Sequence, residues 1–124
     1  MSQETYDKGM AARRAVLGDA YVDNSLKNAD ELTQPFQDLA TEYCWGVVWA
    51  NDDLPRKTRS LMNIAMLVAL NRSTELEVHM RAARRNGCTL AEIRAALMQT
   101  AIYVGVPAAN DGFRVARKVL AEPL

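Results

Sequence analysis

A helical period runs through almost the whole chain, and strong stop signals cut it into short pieces. No stretch alternates apolar and polar residues for long enough to demand a strand. Residues 4–17 read as a first helix, ended near Gly18, and a polar stretch from Asp19 to Ala29 follows. A second helix is predicted from Leu32 to Trp45, with Pro35 near its first turn, where proline is tolerated. Gly46 would kink or end it, and Val47-Val48-Trp49-Ala50 would add a short turn. Asn51-Asp52-Asp53-Leu54 then caps a third helix that begins at Pro55. This third helix, to Leu70, is apolar on nearly every side after Arg59, the pattern of a helix buried at the centre of a bundle. Ser73-Thr74 opens a fourth helix, which stops at Asn86-Gly87. Thr89-Leu90-Ala91-Glu92 is a capping box and starts a fifth. Its apolar positions Leu90, Ile93, Leu97 and Ala101 recur at helical spacing until Gly105-Val106-Pro107 breaks it near Val104. A last helix runs from Ala108 to Leu120. The expectation is an all-α fold, a single-domain bundle of about six helices over residues 1–124.

The 124 residues, 49% of them hydrophobic, suffice for one core and not for two. The longest apolar run, Leu61 to Leu70, is interrupted by Asn63 and falls short of the roughly 20 residues that span a bilayer. The start, Met1-Ser2-Gln3-Glu4-Thr5-Tyr6-Asp7, lacks the basic and apolar parts of a signal peptide, so a cytoplasmic protein is expected. Cys44 and Cys88 form no Cys-x-x-Cys pair and are expected as reduced thiols. Cys44, in its Tyr-Cys-Trp setting, reads as a buried small hydrophobe. One histidine and two scattered cysteines make no zinc site, and no metal is expected.

Net charge is zero but uneven. Residues 1–53 carry four basic and ten acidic side chains, and residues 54–124 carry eleven basic and five acidic ones. Eleven of the fifteen cations are arginine, which grips carboxylates through a two-pronged fork. The imbalance fits mutual neutralisation within or between subunits, or an anionic small-molecule ligand. It does not fit a nucleic-acid surface, since the chain is not basic overall and shows no basic–aromatic interleaving.

The only histidine, His79, is the side chain best suited to exchange protons near neutrality. It stands at the edge of the inward stripe Leu76, Met80 and Ala83, opposite Glu77, Arg81 and Arg84. Glu75, one turn before it, is expected within reach of its ring. That boundary position suits a catalytic group and a structural histidine equally.

Several stretches resemble the carboxymuconolactone decarboxylase family, which shares its fold with the alkylhydroperoxidase-D-like proteins. They are Leu54-Pro55-Arg56-Lys57-Thr58-Arg59-Ser60-Leu61, Ile64-Ala65-Met66-Leu67, and His79-Met80-Arg81-Ala82-Ala83 with Asn86-Gly87. The stretches Arg13-Arg14-Ala15-Val16-Leu17-Gly18-Asp19-Ala20 and Gly105-Val106-Pro107-Ala108-Ala109-Asn110 are similar to the branch that decarboxylates 4-carboxymuconolactone. So are Trp45-Gly46 with Trp49, and Leu97-Met98-Gln99-Thr100-Ala101-Ile102-Tyr103. The resemblance covers essentially the full chain. Peroxidases of the wider superfamily carry a Cys-x-x-Cys just before the matching histidine, where this chain reads Arg72-Ser73-Thr74-Glu75. Without a nucleophilic and a resolving thiol there, hydroperoxide reduction is disfavoured. Ser60 stands near the place of the superfamily's relay glutamate.

The resemblance implies cofactor-independent conversion of 4-carboxymuconolactone to 3-oxoadipate enol-lactone in protocatechuate breakdown. Such a reaction needs cations for a dianion, a donor for the developing oxyanion and a source of one proton. His79 is the expected catalytic residue, either as the acid that protonates carbon or as a neutral donor to the lactone oxygen. Arg14 and Arg59 are expected to bind the carboxylates, with Arg13 and Arg56 behind them. Arg13 and Arg14 could instead be solvated, and Arg56 could pair with Asp52 or Asp53. Trp45 and Trp49 could line a pocket wall or lie in the core. Tyr103 and Asn110 flank the Gly-Val-Pro break and could donate hydrogen bonds to a ligand. The resemblance also implies a homo-oligomer, often a hexamer built as a trimer of dimers, with some site residues supplied by a neighbouring subunit. Six methionines and small alanine faces agree with apolar surface left to bury. The expected partner is a small anionic lactone, with no nucleic acid or membrane. A non-catalytic helical binding module is the reading of a different class.

Overall fold

The computed structural model describes residues 2–123, and these are helical throughout with no strand among them. The helices are α1 (Gln3–Leu17), α2 (Asp19–Lys27), α3 (Gln34–Leu39), α4 (Arg56–Ala69), α5 (Ser73–Arg85), α6 (Leu90–Tyr103) and α7 (Val106–Leu120). A π-helical segment, π1 (Ala40–Trp49), continues α3. Among the described residues no helix is long and apolar enough to cross a membrane. The chain forms two compact units, Met1–Pro55 and Arg56–Leu124.

In the first unit, α1 packs on π1 and α2, and α3 packs on π1. Ala12, Val16, Leu17, Val22, Trp45 and Trp49 are its buried apolar side chains. The stretch expected to be a polar connection is helix α2. Gly18, at φ 90°, turns the chain, and its N–H caps α1 on the Arg14 carbonyl. Arg14 then bridges Asp19 and Asp23, which are four apart on one face of α2, and Val22 is fully buried. A nine-residue polar helix has a weak periodic signal, and tertiary contacts decide it.

Gly46 does not end the second helix. A Cβ at Gly46 would collide with the Thr5 carbonyl oxygen, and one at Gly9 with the Thr41 carbonyl oxygen. The two glycines let α1 and π1 approach backbone to backbone. The segment turns Thr41, Trp45 and Trp49 inward and leaves Tyr43, Val47 and Val48 outside. Cys44 faces outward with them, so it is an exposed residue and not the buried hydrophobe its neighbours suggested.

In the second unit, α4 packs on α5, α6 and α7, and α7 also packs on α5 and α6. Ile64, Val68, Leu76, Met80, Ala83, Ile93, Leu97, Val115, Ala116 and Val119 form its core. The Thr89–Glu92 capping box is present in both directions at the start of α6. The expectation that α4 is buried on all sides is corrected. Ser60, Ile64 and Val68 point inward at four-residue spacing, while Met62, Met66 and Leu70 stay exposed. Apolar composition marks what a helix can bury; with partners on one side only, α4 buries one stripe.

Candidate active site

His79 lies midway along α5, half-buried beside Met80, which faces the core. Its Nδ1 is 3.2 Å from the side-chain nitrogen of Asn63 on α4. Glu75, expected within reach of the ring, is exposed and acts on it through its negative charge. Burial pushes the His79 pKa below its ordinary 6.5, against the opposing pull of Glu75, so the ring is neutral at neutral pH. An amide –NH2 can only donate, so this contact suits a neutral ring whose Nδ1 is bare and whose proton is on Nε2. The arrangement therefore offers an uncharged N–H donor in a partly desolvated place. Asn63 was legible only as an interruption of an apolar run.

The neighbouring turn of α4 is closed. Ser60 is fully buried, and its Oγ accepts a 2.8 Å hydrogen bond from Asn86 at the end of α5. Ser60 thus serves as a tie between two helices. Arg59, one turn before Asn63, is half-buried.

The other predicted residues are dispersed. Arg13, Arg14 and Trp45 belong to the first unit, and His79, Arg59 and Tyr103 to the second. Arg13 is 6% exposed and donates to Thr41 Oγ1 at 3.1 Å and to Gln37 Oε1 at 2.7 Å. Burial pulls its pKa down, but arginine remains charged. Arg14 is held by Asp19 at 3.2 Å and Asp23 at 2.8 Å, and these two carboxylates raise its pKa. Trp45 is buried, with its ring centroid 5.2 Å from that of Trp49. Arg56 and Asn110 are exposed. Tyr103 lies at the end of α6, 83% exposed, on an open groove of about 500 Å3. Leu61, Met62 and Ala65 of α4 and Ala96 and Gln99 of α6 line that groove with it; His79 does not.

Neither thiol suits peroxide chemistry. Desolvation pushes both Cys44 and Cys88 up, away from thiolate at neutral pH. Cys88 is buried, and its Sγ is directed at the Lys57 carbonyl oxygen. Among the described residues, no group of three or more His, Cys, Asp or Glu side chains could hold a metal ion.

What the fold and the site define is an all-helical protein with one imidazole and no thiol pair beside it. The chain belongs to the carboxymuconolactone decarboxylase family, whose model matches residues 34–118. It is 38% identical over 120 residues to a 4-carboxymuconolactone decarboxylase of Acinetobacter baylyi, covering 97% of this chain and 90% of that one. It is also 38% identical over 120 residues to a nitrosuccinic acid decarboxylase of Metarhizium robertsii, covering 97% of this chain and 84% of that one. A 4-carboxymuconolactone decarboxylase of Pseudomonas putida matches at 43% over 44 residues, which is 36% of this chain and 92% of that one.

Proposed function

We propose that the protein decarboxylates 4-carboxymuconolactone to 3-oxoadipate enol-lactone without a cofactor, in the breakdown of protocatechuate in the cytoplasm. The observation that carries the reading is the match along 97% of the chain to a relative named for that reaction. The relatives named above are named for two different acids, yet the acids share a chemistry. Each is a dianion that can hold the electron pair left by departing CO2. In the lactone, the pair spreads through the ring double bond onto the carbonyl oxygen. In nitrosuccinate, it passes into the nitro group. The substrate is its own electron sink, so the reaction asks the protein only for charge, orientation and one proton. The Arg13–Ala20 and Gly105–Asn110 stretches favour the lactone.

His79 donates its Nε2–H to the oxygen on which negative charge grows. Stabilisation of this kind is effective where water is excluded. A neutral imidazole suits this better than a charged one, because it does not have to be protonated against its own desolvation. The bond from the γ-carbon to its carboxylate breaks, CO2 leaves, and the α-carbon takes up a proton from solvent. Arg59 and Arg14 receive the two carboxylates, with Arg13 behind Arg14 and with Tyr103 on the ligand, while the buried Trp45 packs in the core against Trp49. The reading includes a homo-oligomer, a hexamer of three dimers, in which subunits share site residues. The exposed apolar side chains of α4 and α6 support that reading.

The test is the ultraviolet decay of freshly generated 4-carboxymuconolactone beside CO2 release from nitrosuccinate, with wild type and His79→Ala. Fast loss of the lactone by wild type alone is the expected result. Turnover of nitrosuccinate only would keep the class and change the substrate. Turnover of neither, by folded protein, would leave the binding-module reading.

A further inference from the structure

Asn63 is the one polar residue in the run from Leu61 to Leu70. It sits on the flank of the buried Ser60–Ile64–Val68 stripe of α4, half-buried. An amide there loses hydration, and each of its polar groups left without a hydrogen bond is destabilising. Its side-chain nitrogen is the group 3.2 Å from His79 Nδ1. We propose that Asn63 is a positioning residue of the decarboxylation, whose amide donates to Nδ1 and thereby keeps the His79 proton on Nε2, where the substrate's oxyanion forms. The proposal rests on the role given to His79 above and extends it by one residue.

The argument is one of donor and acceptor counting. A neutral imidazole has one N–H and one bare nitrogen. An –NH2 group can pair only with the bare one, whereas an acceptor at the same place would draw the proton to itself and reverse the ring. Nδ1 is the ring nitrogen that faces Asn63 of α4. An N–H donor therefore points away from Asn63 whether or not the ring is charged. Aspartate has the shape of asparagine but presents an acceptor where the –NH2 donates, which separates positioning from packing.

His79 is the only histidine, so 15N-histidine labelling reports one ring. The experiment is imidazole nitrogen NMR without substrate, well above the ring's pKa, on wild type, Asn63→Ala and Asn63→Asp, with kcat and KM on the lactone beside it. Wild type is expected to show a bare Nδ1 and a protonated Nε2. Asn63→Ala is expected to show a mixture of tautomers, and Asn63→Asp a protonated Nδ1. kcat falls about tenfold in the alanine variant and further in the aspartate variant, with KM little moved. A misplaced imidazole proton can cost up to about 10^4-fold where catalysis uses its position. A purely structural role predicts the reverse order, because aspartate fills the space that alanine empties. Three results overturn the proposal: a wild-type ring protonated on Nδ1, an aspartate variant that keeps Nε2–H, or a reversed tautomer with unchanged kcat. The predicted tautomers with no turnover of either acid by wild type would overturn the decarboxylase reading and leave the amide's hold on the ring standing.

Discussion

Ser60 Oγ, fully buried on α4, accepts a 2.8 Å hydrogen bond from the side-chain nitrogen of Asn86, the residue that ends α5. The pair ties the two helices that carry Asn63 and His79. Ser60→Ala removes the acceptor and leaves the Asn86 amide short of a partner. The expected cost is about 1–3 kcal/mol in urea unfolding, with kcat on the lactone unchanged. Loss of kcat in stably folded Ser60→Ala would instead put the hydroxyl in the chemistry.

Stability should depend on pH through His79. Its folded pKa lies below the ordinary 6.5, so the unfolded chain binds the extra proton more readily. The contribution of the neutral ring is present above 6.5 and is lost as pH falls from there through the folded pKa. Glu75, whose charge acts on the ring, works in the opposite direction and is the lesser influence. Urea unfolding at about pH 7.5 and about pH 5.5 should show a larger loss for wild type than for His79→Gln. The subtraction removes the carboxylates Glu77, Glu92 and Glu122, whose pKa values their cationic or backbone partners hold low. Equal losses would mean that the ring titrates as in water.

Arg59→Met should raise KM for the dianion more than it lowers kcat. A hydrogen bond to a charged group contributes about 1.5–3 kcal/mol, or roughly 10- to 150-fold. Arg14→Met is the companion measurement, because Asp19 and Asp23 already occupy its fork. A parallel rise in KM would place Arg14 at the bound substrate. An unchanged KM would leave Arg14 as the clasp of α2.

Gly9→Ala should destabilise the first unit. The added Cβ would meet the Thr41 carbonyl oxygen and lie 2.8 Å from the Gly46 nitrogen. Both are backbone atoms, which cannot rotate away. Overpacking of this kind costs about 1–3 kcal/mol. Thermal unfolding followed by tryptophan fluorescence reports it, since Trp45 and Trp49 are buried on π1.

Assembly can be read by sedimentation. The proposed homo-oligomer predicts a mass several times 13.8 kDa at micromolar concentration. Ile102 is apolar and 81% exposed on α6. Ile102→Glu should lower the mass while leaving the helical circular dichroism intact. A monomeric wild type would end the shared-site reading.

The sequence by itself determined the helical class, the boundaries of α5 and α6, and the turn at Gly105. Those features follow from local rules: a capping box, a terminal glycine, and an apolar stripe at Leu76, Met80 and Ala83. It also singled out His79 by being the only histidine, and it denied the chain a peroxidase thiol pair. Tertiary structure decided the rest. It made a helix of Asp19–Lys27 through Arg14 and Val22, turned Gly46 from a stop into a point of close approach, and left one face of α4 open. It also put Asn63, 16 positions away in the chain, at the ring of His79. Periodicity reports what one helix would prefer to bury. Which nitrogen of a histidine keeps its proton depends on the groups packed against the ring, and packing between helices chooses them.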